Sequence, residues 1–306
     1  MRALELHASA KTIQRSKGRS SVAAAAYRAG ERLYDERTGL THDYRYKNDV
    51  EFTRIYLPEN APDHYRDRAT LWNAVEKKEN RSNSCTAREL EIAFPYEFNA
   101  MQRREAGDAT ARELMKRYGC AVDIAYHNPS RDGDQRNHHA HIMVTTRVLG
   151  ERGLGDKADI ERENKWLLNN NMATSHMQIR DVRLSWEQIA NQHLARAGHD
   201  LRIDHRSHQD RGLEIEPTQH VGVHATQMDR RGQAVDRTRQ DADAAKRNAD
   251  LIQQHPEQAL TLITGEKSVF DRHDIARTLH RYIDDSETFQ NAFAEVMNSP
   301  ALVELQ

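Results

Sequence analysis

Cys120-Ala-Val-Asp-Ile-Ala-Tyr-His127 and His139-Ala-His-Ile-Met-Val-Thr-Thr-Arg147 are two β-type runs separated by Asn-Pro-Ser-Arg-Asp-Gly-Asp-Gln-Arg-Asn (128–137). The linker concentrates Pro, Asp, Asn and Gly, so the two runs read as antiparallel strands joined by a turn-rich loop. Alternate side chains on a strand share a face, which puts His139 and His141 on one side and His138 on the other. His127 ends the first strand, and the hairpin brings that end beside the start of the second. Three imidazoles then converge on one point, as a metal with open coordination positions requires. The competing reading is a set of solvated or hydrogen-bonded surface histidines.

Further elements extend on both sides of this pair. Residues 2–7 alternate and read as a first strand, followed by a loop carrying Arg15, Lys17, Gly18 and Arg19. Ser20-Ser21 caps an alanine-rich stretch, SSVAAAAYRAGERLYDE, predicted as one helix ending at Gly39. EFTRIYL (51–57) is a strand stopped by Pro58, DRATLWNAVEKKENR an amphipathic helix, and RELEIAFP (88–95) a strand closed by Pro95. Residues 99–118 form a helix with Gly119 at its C-cap. The expected order βαβαβαββα is that of an α+β domain with a mostly antiparallel sheet. Beyond residue 150 the chain turns helical and polar. DVRLSWEQIANQHLARAG is an amphipathic helix, 201–224 an irregular basic segment, 226–254 a mixed-charge helix or linker, and IARTLHRYI and FQNAFAEVM two short helices.

Tyr27 lies in the alanine-rich helix beside Arg28, with the basic loop at the helix start, where phosphate is favoured. A phenol ionises near pH ~10, so it becomes a nucleophile only with help from a metal-bound phosphate or a base. Composition alone favours a packing role for Tyr27 and for Tyr34, seven residues on. Glu89 and Glu91 share one face of their strand, with Leu90, Ile92 and Phe94 on the other. That face is either solvated or the one that holds the histidines. In the second case a carboxylate could accept a tyrosine proton or hydrogen-bond a ligand. Asp123, on the same face as His127, is another such carboxylate.

The 306 residues include 37% hydrophobic and 30% charged side chains, with a formal net charge of −2 and 17 histidines. The mean hydropathy of −0.91 points to long solvated helices or a tail beside a genuine core. Net charge excludes a globally basic nucleic-acid binder, so DNA affinity would come from local patches. No run approaches the ~20 apolar residues of a membrane span, and the first residues lack a signal-peptide apolar region. Membrane insertion is not expected. Two cysteines without CxxC spacing suit a reduced, cytoplasmic setting.

Taken together, RSKGRSSVAAAAYRAGE, LWNAVEKKENR, RELEIAFP, AYHNPSRDGDQRNHHAHIMVTTR and AGHDLRIDHRSHQDRGLEIEPTQHVG resemble, in order, the MobA/MobL family of plasmid relaxases within the HUH endonucleases. The resemblance spans residues 1 to about 224. It implies an HUH relaxase fold, a central sheet flanked by helices with a helical C-terminal extension. It implies Tyr27 as the nucleophile that forms a 5′-phosphotyrosine link to single-stranded plasmid DNA at an origin of transfer. It also implies His127, His139 and His141 as ligands of one Mg²⁺ or Mn²⁺ ion, Mn²⁺ being the better match for imidazole. Glu89 and Glu91 fall where the family carries active-site carboxylates. Arg15, Lys17, Arg19, Arg28 and Arg147 are the expected phosphate contacts. Relaxosome accessory proteins and a secretion coupling protein are the implied partners, with export alongside the transferred strand. The long 128–138 loop departs from the family pattern. TGEKSVFDRHDIARTLHRYIDD resembles the lead-in to the helicase half of Ti-type TraA proteins. The expected division is therefore 1–225 for the nuclease and 226–306 for a charged linker leading into a further region, the chain being a piece of a longer protein. A replication-initiating HUH nuclease, a zinc hydrolase and a DNA-binding module with idle histidines are the rival readings. The first places its tyrosine after the histidines, unlike this chain.

Overall fold

A computed structural model describes residues 8–129, 135–204, 236–266, 270–283, 285–300 and 302. The strand expected at 2–7, most of the basic 201–224 segment and the 225/226 division lie outside these residues. The described residues from 8 to 199 form one compact unit, and the described residues from 200 onward belong to a second.

The first unit is α+β. Its central sheet has five strands, β1 (Ala8–Gln14), β4 (Val50–Tyr56), β5 (Cys85–Ala93), β6 (Val122–His127) and β7 (His139–Thr145), in the order β1-β5-β7-β6-β4. Every neighbouring pair is antiparallel. The hairpin expected from the histidine motif forms with His127 directly opposite His139 and Ala125 opposite His141.

Each face of the sheet is covered because the strands alternate. Leu90, Ile92, Phe94, Ile124, Ile142 and Tyr126 are buried on one face. There they meet α3 (Ala100–Tyr118) and α5 (Ser175–Arg196), with Phe94 stacked on Tyr126 and edge-on to Trp186. Helix α3 starts in a capping box formed by Asn99 and Gln102, and it ends, as expected from the sequence, at Gly119 in the left-handed region. On the other face Ile13, Ala87 and Met143 join Val22, Ala25 and Ala26 of α1 (Ser21–Ala29) and Leu71, Trp72 and Val75 of α2 (Arg68–Lys78) in one apolar cluster. That face also carries Glu89, Glu91, Asp123 and the three histidines.

Two local expectations are corrected. The alanine-rich helix stops at Gly30, not Gly39, because Gly30 sits at φ +64° and a Cβ there would press on Val50 Cγ2 at 3.2 Å. The chain then turns back as a hairpin of β2 (Arg32–Asp35) and β3 (Leu40–Asp43), so Tyr34 is a strand residue and shares no helix face with Tyr27. A second hairpin, β8 (Arg147–Gly150) with β9 (Gly153–Lys157), follows the histidine strand, where helical structure was expected. The short α4 (Asn164–Asn169) precedes α5. Strand β1 occupies 8–14, where no strand was expected.

The second unit is helical, with α6 (Asp236–Gln254), α7 (Gln258–Glu266), α8 (Arg272–Leu279) and α9 (Ser286–Met297). Ile252, Leu260, Ile263, Ile275, Leu279 and Val296 form its core. The two C-terminal helices read from the sequence are α8 and α9.

Packing on the α3 side leaves no room at Gly107, where a Cβ would lie 2.5 Å from Tyr126 Oη. Gly107→Ala should therefore cost about 1–3 kcal/mol of stability despite alanine's better helix propensity, read from urea unfolding.

Candidate metal centre and tyrosine helix

His127, His139 and His141 gather at one end of the sheet, on the face covered by α1 and α2. One ligand atom from each lies within 4.8 Å of the others, and the ring centroids are 4.9–5.3 Å apart. One nitrogen of each ring lies against an oxygen acceptor outside the cluster. His141 Nδ1 lies 2.7 Å from Glu89 Oε1, His139 Nδ1 3.0 Å from the Asn137 carbonyl, and His127 Nε2 2.7 Å from the Arg28 carbonyl. If each of those nitrogens carries the proton, the remaining lone pairs are left to the cluster. Oriented neutral imidazoles of this kind fit a divalent cation.

Burial, and the charge of His141 beside it, push His127 down to about 4, and burial lowers His139 as well. Neutral rings at these two positions are the form a metal needs. Glu89 is only 2% exposed. Burial pushes its carboxyl up, but hydrogen bonds from His141 and Arg28 outweigh this and hold it well below the usual carboxylate range. The face of Glu89 and Glu91 is thus the histidine face and not a solvated one. Glu91, directly opposite His141 on the neighbouring strand, is half-buried and receives Lys11 Nζ at 2.6 Å.

Tyr27, 43% exposed, is in the last turn of α1. The Tyr44 ring meets it edge-on at 5.1 Å, and Lys47 Nζ sits 3.8 Å from its ring centroid. Lys47 pairs with Asp49 at 3.3 Å, and Asp49 Oδ2 is 3.5 Å from His127 Nδ1. Sequence reasoning missed Lys47 and Asp49. They follow the unforeseen β2–β3 hairpin, and no periodic signal marks them.

Other site expectations separate. Arg28 clamps Glu89 through Nε and Nη2, both at 2.8 Å. Arg15 binds Glu76 and the Arg81 carbonyl, and Arg147 binds Glu79 and the Gly155 carbonyl. Among the five expected phosphate contacts, Lys17 and Arg19 are the exposed ones. Asp123 accepts from Arg68 Nε and Nη2 and from Trp72 Nε1 at 2.8–2.9 Å. It anchors α2 to the sheet, and Glu89 takes the place beside a histidine that Asp123 was also considered for. Arg68 is bonded to Glu31 as well.

Residues 19–231 match the sequence model of the MobA/MobL family. The chain belongs to the MobA/MobL family. Among its relatives, the probable conjugal transfer protein TraA of Sinorhizobium fredii (strain NBRC 101917 / NGR234) is 35% identical, the match covering 98% of this chain and 29% of TraA. Mobilization protein MobL of Acidithiobacillus ferridurans is 36% identical over 87% of this chain and 74% of MobL. The chain therefore spans under a third of the TraA relative and about three quarters of MobL. A solved structure described as the molecular basis of vancomycin resistance transfer in Staphylococcus aureus is 29% identical, with a TM-score of 0.55 over 66% of this chain and 99% of its own. Among the described residues no helix is long and apolar enough to cross a membrane.

Two outcomes test this MobA/MobL centre. Between the usual histidine value of 6.5 and about 4, the unfolded chain takes up a proton that folded His127 refuses. The metal-free protein should lose stability as pH falls through that window, and His127→Gln should flatten the dependence in urea titrations at stepped pH. Asp123→Ala removes the buried, two-point partner of Arg68, leaving only the more exposed Glu31 beside it, and should cost about 3 kcal/mol. The same variant should leave Mn²⁺ affinity unchanged in calorimetric titration of the refolded protein.

Proposed function

We propose that this chain is the strand-nicking part of a conjugative relaxase, cutting one DNA strand at an origin of transfer through Tyr27. The observation that carries the reading is the three-histidine cluster joined, through the His127 ring, to Arg28, the residue next to the exposed Tyr27. Membership of the MobA/MobL family and kinship with proteins named for conjugal transfer and mobilization support it.

His127, His139 and His141 would hold one Mg²⁺ or Mn²⁺ ion. Bound there, the cation would offset negative charge on the scissile phosphate as it builds in the transition state. The Tyr27 Oη attacks phosphorus, the P–O3′ bond breaks, and the strand leaves with a 3′-hydroxyl while its 5′-phosphate stays on Tyr27. The phenolic proton passes through water to Glu91, the more accessible of the two carboxylates, and the departing 3′-oxygen gains one from solvent. One P–O bond replaces another, so a 3′-hydroxyl can reverse the step and close the strand. Glu89 has a different task, since both its oxygens accept from Arg28 and one also from His141. It orients the ligand. Lys47, beside the Tyr27 ring, joins Lys17 and Arg19 as a phosphate contact.

The substrate is single-stranded plasmid DNA, because its backbone must bend to the end of the sheet. Nicking takes place in the bacterial cytoplasm, with relaxosome accessory proteins and a secretion coupling protein as partners. Residues 1–225 make up the nuclease and 226–306 lead toward a further region.

Incubation with single-stranded origin DNA and Mn²⁺, followed by a denaturing gel, should give a covalent adduct that chelation prevents. Tyr27→Phe should abolish the adduct and retain DNA binding. A free 5′-phosphate product with no protein attached would instead indicate metal-activated water and sink the proposal.

A further inference from the structure

We infer that Arg28 is a positioning residue that fixes the nucleophile helix to the metal centre, and not a DNA-phosphate contact. The inference rests on the proposed roles of Tyr27 and the three histidines. Its basis is that two of the three imidazoles end their outward hydrogen bonds on this one residue, directly or through a single carboxylate.

The first link is through the main chain. Arg28 lies in the last turn of α1, where carbonyls lack intrahelical donors. Its carbonyl lies 2.7 Å from Nε2 of buried His127, which satisfies the helix end and sets the His127 ring at once. The second link is through the side chain. The guanidinium fork takes both oxygens of Glu89, and Oε1 of that carboxylate also meets His141 Nδ1 at 2.7 Å. Glu89 itself stands on an interior strand, β5, between β1 and β7. Tyr27 shares a peptide bond with Arg28. Any shift of α1 along the sheet would therefore disturb His127 and His141 together, and any disorder of those rings would release the tyrosine.

The geometry also argues against a phosphate role. Nε and Nη2 are committed to a carboxylate that is almost wholly buried, and drawing the fork away would leave that charge unpaired. A planar fork meets both carboxylate oxygens in fixed directions, which a lysine ammonium cannot reproduce. The salient property of Arg28 is thus its shape as much as its charge.

The two roles separate cleanly in experiment. Mn²⁺ affinity would be measured by calorimetry on the full 306-residue chain for the wild type, Arg28→Lys, Arg28→Gln and Tyr27→Phe. Adduct formation at saturating DNA, DNA affinity and its salt dependence would be measured alongside. A positioning role predicts that Arg28→Lys and Arg28→Gln weaken Mn²⁺ binding by roughly 10–100-fold. It predicts slower adduct formation at saturating DNA, with DNA affinity and salt slope at wild-type values. Tyr27→Phe should keep wild-type Mn²⁺ affinity. A phosphate contact predicts the reverse, with Mn²⁺ affinity unchanged, DNA binding weakened and the salt slope reduced by about 1. That result would overturn the inference. Arg28→Lys keeps the positive charge against Glu89, so it reports on geometry even where Arg28→Gln fails to fold. Weakened Mn²⁺ binding in a chain whose wild type forms no DNA adduct would overturn the relaxase reading and leave the hold of Arg28 on the metal centre standing. A wild type that binds no Mn²⁺ would overturn both.

Discussion

A carboxylate that is 2% exposed, on an interior strand of a five-stranded sheet, has to be compensated, and Glu89 is compensated by Arg28 on one side and His141 on the other. Burying an unpaired charge costs several kcal/mol per ion, so neither partner can leave without penalty. Much of the site follows from this constraint. Arg28 must approach the sheet, which sets the end of α1 against it, and the same approach brings the Arg28 carbonyl to His127. Tyr27, one residue earlier, is left partly exposed, with Lys47 over its ring.

The surrounding fold supplies the rigidity this arrangement needs. His127 and His139 are opposed in register, and His141 is opposed to Ala125 on one side and Glu91 on the other. A slip of β7 by one residue would turn His139 and His141 to the face opposite His127. Packing guards against that slip from both sides, through Phe94, Tyr126 and Trp186 against α3 and α5 and through Trp72, Met143 and Ala87 against α1 and α2. The ion pair of Arg68 and Asp123 ties α2 to β6 on the histidine face. A carboxylate that could have served the metal is used there to hold the scaffold. Burial at the centre lowers His127 and His139, which favours their neutral, ligating form.

Much of this was legible in the sequence. The hairpin of β6 and β7, its register and the convergence of the three histidines follow from period-2 alternation and a turn-rich linker, because both are local properties. Helices α2, α3 and α5 and strands β4 and β5 were equally plain from apolar periodicity and from stop residues such as Gly119 and Pro95. The end of α1 was misjudged, since helix propensity continues past Gly30 and only the crowding against Val50 shows why a left-handed residue stands there. The two short hairpins escaped notice for a related reason. Four-residue strands carry too little alternation to stand out.

The roles of individual charged side chains were decided elsewhere. Arg15, Arg28 and Arg147 look alike in sequence to Lys17 and Arg19, yet the first three are spent on Glu76, Glu89 and Glu79 and the last two face solvent. Lys47 reaches the Tyr27 ring only because the β2–β3 hairpin folds the chain back over α1. The sequence by itself determined which side chains share a face of a strand and that β6 pairs with β7, since backbone periodicity and a turn-rich linker carry that information. The order of the other strands came only with the fold. The tertiary structure alone decided which charge meets which, because ion pairing depends on distances of a few ångströms between residues that are 50–70 positions apart along the chain.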